Sequence, residues 1–165
     1  GCGFLGFPLS LIRFCGTLSP DSLREKESAM TEEQKDFIFR TVNTPHQFSY
    51  ENGVTVTHVE PGRAEGVLEI GPNSVNPHGN VHGGALATLA DTVGGCCACS
   101  KGGICVTASS SMEFLRPANG SMITCVATPK KMGRTLTVVQ TDLFNDSGKL
   151  VATGTYTFFM VEPAT

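Results

Sequence analysis

The sequence predicts an α+β fold in which an antiparallel sheet wraps around one long central helix. Three observations carry that expectation. Residues 83–100 (GGALATLADTVGGCCACS) hold a single charge, no proline and no run of β-branched residues. A helix that is apolar or small nearly all round is buried on most sides. Residues 54–70 read as a hairpin, and residues 104–161 as a meander of four alternating segments separated by Gly, Pro, Asn and Asp turns. One apolar helix set among antiparallel strands defines the class.

The chain of 165 residues divides into three parts. Residues 1–29 are expected to be a leader, either non-native or encoded upstream, because Met30-Thr-Glu-Glu-Gln reads as a natural start. No positive segment precedes the apolar stretch Gly1 to Ile12, as a secretory signal requires, and Pro8 interrupts any helix there. Leu5 stands where a myristoylation pattern needs Ser or Thr.

Residues 30–45 form an N-terminal helix: Thr31 caps it, Glu32 and Glu33 suit its positive end, Phe37, Ile38 and Val42 supply an apolar stripe, and Pro45 ends it. Residues 46–162 form the main domain. Val54 and Val56 alternate with Thr55 and Thr57, Glu60-Pro61-Gly62-Arg63 turns the chain, and Ala64 to Ile70 returns. Residues 71–82 are a loop by their Gly, Pro and Asn content. Past the long helix the strands are Ile104–Leu115, Ser121–Pro129, Thr135–Phe144 and Leu150–Val161, with a turn at Lys130 to Arg134.

Composition excludes several classes of function. The net charge is −3, with no basic footprint for nucleic acid. No apolar run reaches the ~18 residues of a membrane span. Only 16% of residues are charged, below the usual share of about 25%, so part of the surface is expected to be covered by another subunit. Seven cysteines at 2, 15, 96, 97, 99, 105 and 125 are an odd number, three of them within four residues. That spacing does not suit a secreted disulfide framework and points to a reducing cytoplasm. Cys96, Cys97 and Cys99 on one helix do not converge on a tetrahedral ion with His78 or His82, so no metal is expected.

The segment Asn76-Pro-His-Gly-Asn-Val-His82-Gly83-Gly84-Ala-Leu-Ala-Thr-Leu-Ala-Asp91 resembles the signature of hotdog-fold acyl-CoA thioesterases of the phenylacetate-pathway (PaaI-like) type. The resemblance covers residues 48–161. It implies a hotdog fold, hydrolysis of acyl-CoA or aryl-CoA thioesters, no cofactor beyond the coenzyme A of the substrate, and a homodimer or dimer of dimers. It also implies that Asn76 joins a glycine N–H at the carbonyl oxygen, and that the hydroxyl of Thr107 helps hold the attacking water.

The residues themselves support such chemistry. Gly83 and Gly84 open a helix, where N–H groups lack intrahelical partners and the dipole favours negative charge. Such donors stabilise a thioester carbonyl as it becomes an oxyanion; the plainer reading is a glycine pair that eases packing. Asp91 is the only charge between His82 and Lys101, and a buried carboxylate is costly unless it has a role, as general base or as nucleophile. Asn76 also suits ordinary turn chemistry. His82 orients the helix or binds substrate. Thr107 is equally an ordinary strand residue, on the face of Ser109 and Ser111. Arg116 and the cluster Lys130, Lys131 and Arg134 are candidate phosphate ligands, or simply solvated turn charges.

Distance then constrains the site. Asp91 lies eight residues beyond Gly83, about 12 Å along a helix at ~1.5 Å per residue, while base and oxyanion donor must each lie within ~3 Å of one reaction centre. Two antiparallel helices related by a two-fold bring Asp91 of one subunit to Gly83 of the other. The alternatives are an acyl-CoA sensor that binds without hydrolysis, and a hydroxyacyl-thioester dehydratase using His82 or His78.

Overall fold

The computed structural model describes residues 30–162; the leader expectation falls outside the described residues. Helix α1 spans Glu32–Val42. Thr31 Oγ1 accepts from the Gln34 N–H at 3.2 Å and Gln34 Oε1 accepts from the Thr31 N–H at 2.9 Å, a reciprocal cap. The helix ends before Pro45 because Asn43 is captured by the first strand. Its Nδ2 donates to Val56 O and its Oδ1 accepts from Val56 N–H, both at 2.8 Å. Ile38, Phe39 and Val42 pack on the core, whereas Phe37 of the expected stripe is 63% exposed. A short helix α2, Phe48–Glu51, was not expected.

Strands β1 (Val54–Glu60) and β2 (Arg63–Glu69) form the expected hairpin. Helix α3, Gly83–Ala98, follows. The last four strands are β3 (Ile104–Phe114), β4 (Met122–Met132), β5 (Leu136–Asn145) and β6 (Leu150–Glu162). All pair antiparallel in one sheet of order β1-β2-β4-β5-β6-β3. The meander therefore holds for β4, β5 and β6 only. Helix α3 packs across the sheet, mainly on β2, β4 and β5, and delivers β3 to the far edge, beside β6 rather than β4.

The core lies between α3 and the concave face of the sheet. Leu86, Leu89, Ala90, Val93 and Cys97 of the helix meet Val54, Val56, Leu68, Ile123, Val139, Leu143 and Phe158, all nearly solvent-free. Gly94 lets the Phe158 ring close on the helix: a Cβ there would lie 3.1 Å from Phe158 Cζ. The helix is not covered all round in the single chain. Gly84, Thr88, Asp91, Thr92, Gly95 and Cys99 form a strip that is not buried.

The turn expected at Lys130 to Arg134 is instead the end of β4, which runs on to Met132. Pairing with β2 stops at Ala127, so Pro129 sits where no neighbour needs its missing N–H, and the register with β5 shifts between Pro129 and Lys131. Proline is tolerated at such a bulge.

Candidate active site

Asp91 projects from the uncovered strip of α3. One of its oxygens, Oδ1, accepts a 2.7 Å hydrogen bond from Thr107 Oγ1 on β3. Thr88 and Thr92 bond back to helix carbonyls, at 2.9 Å to Gly84 O and 2.8 Å to Thr88 O, so Asp91 is the polar group of this strip left to act on something else. The second carboxylate oxygen has no protein partner among the described residues.

Thr107 faces the helix, and a bulge turns the serines that follow it away. Thr107 pairs with Phe158 but Ser109 pairs with Thr157, so Ala108 is an extra residue. One inserted residue re-aims the side chains that follow. Thr107 therefore lies on the helix side with Phe158, and Ser109 and Ser111 pair with Thr157 and Thr155 on the opposite face. The single face expected for all three is corrected accordingly.

Asp91 and Thr107 open into a groove of about 910 Å³, largely apolar, between α1, the second half of α3 and the start of β3. Phe37, Ile38 and Val42 of α1 form one wall; Ile104, Val106 and Phe158 lie across from them. The contribution of α1 was not anticipated, although its apolar stripe was the signal for it.

Asn76, Gly83 and Arg116 meet elsewhere, in a second cleft of about 460 Å³ walled by Leu86, Phe114 and Pro117. Gly83 is the first residue of α3, so its N–H has no acceptor one turn back. A Cβ at Gly83 would lie 3.3 Å from the Phe114 ring. The Asn76 carbonyl is spent within the loop, accepting from His78 N–H at 2.9 Å and Asn80 N–H at 3.2 Å. This fixes the orientation of the amide, because an NH2 group cannot accept, and leaves Nδ2 as the free end. Turn chemistry and a donor role are therefore compatible in Asn76. Arg116 Nη1 donates to Leu150 O at 2.7 Å, with the remaining guanidinium donors at the cleft.

His82 and Gly84 bond to each other at the mouth of the helix. His82 is the N-cap of α3, and its Nδ1 accepts from the Gly84 N–H at 2.8 Å. The Gly84 donor is thereby used inside the protein. Through this bond His82 orients the start of the helix.

The cations Lys130, Lys131 and Arg134 line neither cavity. Lys130 Nζ donates to Thr155 Oγ1 at 3.1 Å on the sheet surface, and Lys131 pairs in register with Val138. Arg116 is bound to the start of β6, about six residues from that level, or roughly 20 Å at ~3.3 Å per residue. One chain does not gather them with Arg116. Cys96 and Cys97 are core residues whose burial pushes both thiols up to about 12. Among the described residues no group of three His, Cys, Asp or Glu is placed to hold a metal, and no helix is long and apolar enough to cross a membrane.

A six-stranded antiparallel sheet packed against one long helix is the architecture of the hotdog fold. Residues 78–152 match the Thioesterase superfamily. Acyl-coenzyme A thioesterase 13 of Homo sapiens is 30% identical over 108 residues, which are 63% of this chain and 77% of that protein. A hypothetical thioesterase of Streptococcus pneumoniae TIGR4, solved with coenzyme A, is 28% identical with a TM-score of 0.64, over 68% of this chain and 91% of that one. That protein has also been solved with an aspartate and with a threonine replaced by alanine, sixteen positions apart. The PaaI protein of Escherichia coli, 21% identical, shares the fold with a TM-score of 0.73 over 80% of this chain and 96% of that one. The chain belongs to the thioesterase superfamily, and it is a thioester hydrolase of the PaaI-like hotdog type.

Proposed function

We propose that this protein hydrolyses acyl-coenzyme A thioesters to the free acid and coenzyme A, at sites completed by a second copy of the chain. The observation that carries the reading is the division of the machinery. Asp91 and Thr107 face one cavity, and Gly83 and Asn76 face another, on the same chain. Apposing two chains with their α3 helices antiparallel lays the acid of one against the helix mouth of the other, twice over. The exposed apolar residues of the edge strand β3, Ile104, Val106 and Phe114, with Leu115 beyond it, support a partner there. So does the unpaired edge itself, which a soluble protein does not leave long and apolar.

In this site the thioester carbonyl oxygen lies between the Gly83 N–H and Asn76 Nδ2, which strengthen their hold as charge develops. Asp91 takes a proton from water as the water oxygen attacks the carbonyl carbon, and Thr107 holds the carboxylate in place. The C–S bond then breaks, and the departing sulfur recovers the proton from Asp91. In the variant of this scheme Asp91 itself attacks the carbonyl, the C–S bond breaks and a mixed anhydride forms that water hydrolyses; heavy-isotope oxygen from solvent entering Asp91 in a single turnover is its signature. The apolar groove between α1 and β3 receives the acyl group, and Arg116 adds positive charge beside the carbonyl site. The coenzyme A bound by the Streptococcus pneumoniae relative supports the substrate class. The aspartate–threonine spacing of its two variants, the same sixteen residues that separate Asp91 from Thr107, supports the pair.

The test is Asp91→Asn, assayed by release of free thiol from acyl-CoA esters. Turnover is expected to fall about 10²–10⁴-fold, the contribution of a positioned general base, while the oligomer persists in size-exclusion chromatography. An unchanged rate removes Asp91 from the mechanism.

A further inference from the structure

The groove holds a second reactive pair that the thioesterase chemistry does not use. Cys99 ends α3 and Cys105 is the second residue of β3. Their Sγ atoms lie 3.3 Å apart, and Cys105 Sγ is also 3.8 Å from Gly95 O. The loop between them folds back through Gly102 and Gly103, at φ 95° and 89°, a left-handed conformation that glycine adopts at no steric cost. Neither sulfur is fully buried, and both line the groove.

The two thiols are chemically unequal. The hydrogen bond between the two thiols, opposed by burial and helped by the Cys105 backbone N–H, holds the Cys99 thiol below its ordinary range. The same bond, with burial, pushes the Cys105 thiol up. Thiolate character and access make a cysteine a nucleophile. Cys96, Cys97 and Cys125 are buried and their thiols are pushed up by that burial, although Cys96 also borders the groove.

We propose that Cys99 and Cys105 form a reversible dithiol site for hydroperoxides. The Cys99 thiolate attacks one peroxide oxygen and the O–O bond breaks; the peroxide's proton stays on the transferred oxygen, giving a sulfenic acid, and the departing alkoxide or hydroxide takes up the proton that Cys99 released and leaves as alcohol or water. The Cys105 sulfur then attacks Cys99 Sγ, the S–O bond breaks, and water leaves with the Cys105 proton. Two thiols and one hydroperoxide become a disulfide, an alcohol or water, and one water. The sulfurs need only close from 3.3 Å to about 2 Å. The product ties the end of α3 to β3 two residues before Thr107.

The experiment exposes the full-length chain to one equivalent of hydrogen peroxide and follows thiol loss with peptide mapping. Trypsin cuts at Lys101, between the two cysteines. The expected result is loss of two thiols, peptides 64–101 and 102–130 joined through Cys99 and Cys105, and reversal by dithiothreitol. Cys99 should react at least about tenfold faster than Cys96 and Cys97. Cys105→Ser should abolish the link and leave a Cys99 sulfenic acid that dimedone traps; Cys125→Ser should leave the link intact. Thermal melts of Cys105→Ser and Cys105→Ala identify a variant that remains folded. A link mapped to Cys96, Cys97 or Cys125, or thiol loss no faster at Cys99 than in the core, overturns the proposal.

Discussion

A surface carboxylate holds two strands together when the backbone supplies its donors. Asp146, in the turn between β5 and β6, accepts from Ser121 N–H at 2.7 Å, Ser121 Oγ at 3.1 Å and Met122 N–H at 3.1 Å, at the start of β4. These bonds, the Ser121 backbone bond first, hold its carboxyl below the ordinary value. The ordinary unfolded value is about 3.9. A depressed folded value means a stabilising contribution that is present above the unfolded pKa and is lost as pH falls through the folded one. Asp146→Ala is therefore expected to melt at lower temperature than the parent at neutral pH, and melting curves across pH should show the gap closing in acid. A constant gap down to pH 2 contradicts the assignment. At the active site, single residues were unequally legible. Asp91 stood out as a lone charge on an apolar helix, and Gly83 as a helix-opening glycine. Thr107 looked like any strand threonine: its partner is sixteen residues away, and the bulge at Ala108 that sets it apart from Ser109 and Ser111 leaves no mark in an alternating pattern. The cap that His82 and Gly84 form with each other was not legible, because it is a side-chain geometry and not a spacing.

Elements were legible where local chemistry decides them. The Thr31 cap, the hairpin turn and the alternation of Val54 and Val56 are set by residues within a few positions of one another. Which strand lies beside which is not local: β3 alternates equally well at the far edge beside β6 or next to β4, and only the passage of α3 across the sheet selects the former. Lys130 to Arg134 read as a turn, yet β4 runs on to Met132 past the point where β2 has ended. The helix–sheet contact is itself testable. At Gly94 a Cβ would meet the Phe158 ring at 3.1 and 3.3 Å, while at Gly95 the nearest Phe158 atom is 3.6 Å away. Phe158 is 1% exposed and has nowhere to move. Gly94→Val is expected to cost about 1–3 kcal/mol by overpacking. Gly95→Ala, in ordinary contact, should be neutral or stabilise by up to about 1 kcal/mol through helix propensity. Denaturant unfolding of the two variants compares them, and equal midpoints contradict the packing argument.

At the scale of the whole molecule, the proposed pair of chains with two shared sites accounts for the low charge content, the exposed apolar edge of β3 and the two separate cavities. That arrangement has a consequence no single-chain site shares. Asp91→Asn removes the acid from one half of every site, and Gly83→Leu fills the other half, since even a Cβ at Gly83 would lie 3.3 Å from Phe114. Each variant alone is inactive, because every site in its homodimer carries a lesion. In a mixed pair, one site receives both lesions and the other receives Asp91 from the Gly83→Leu chain and Gly83 from the Asp91→Asn chain, so it is intact. Random exchange of equal amounts gives half mixed pairs, each with one working site of two, so activity should recover to about a quarter of the parent value. Native mass spectrometry counts the mixed pairs while free-thiol release measures the rate, and the two should rise together. Mixed pairs present without any recovery of rate would place acid and oxyanion donors on the same chain and break the shared-site reading.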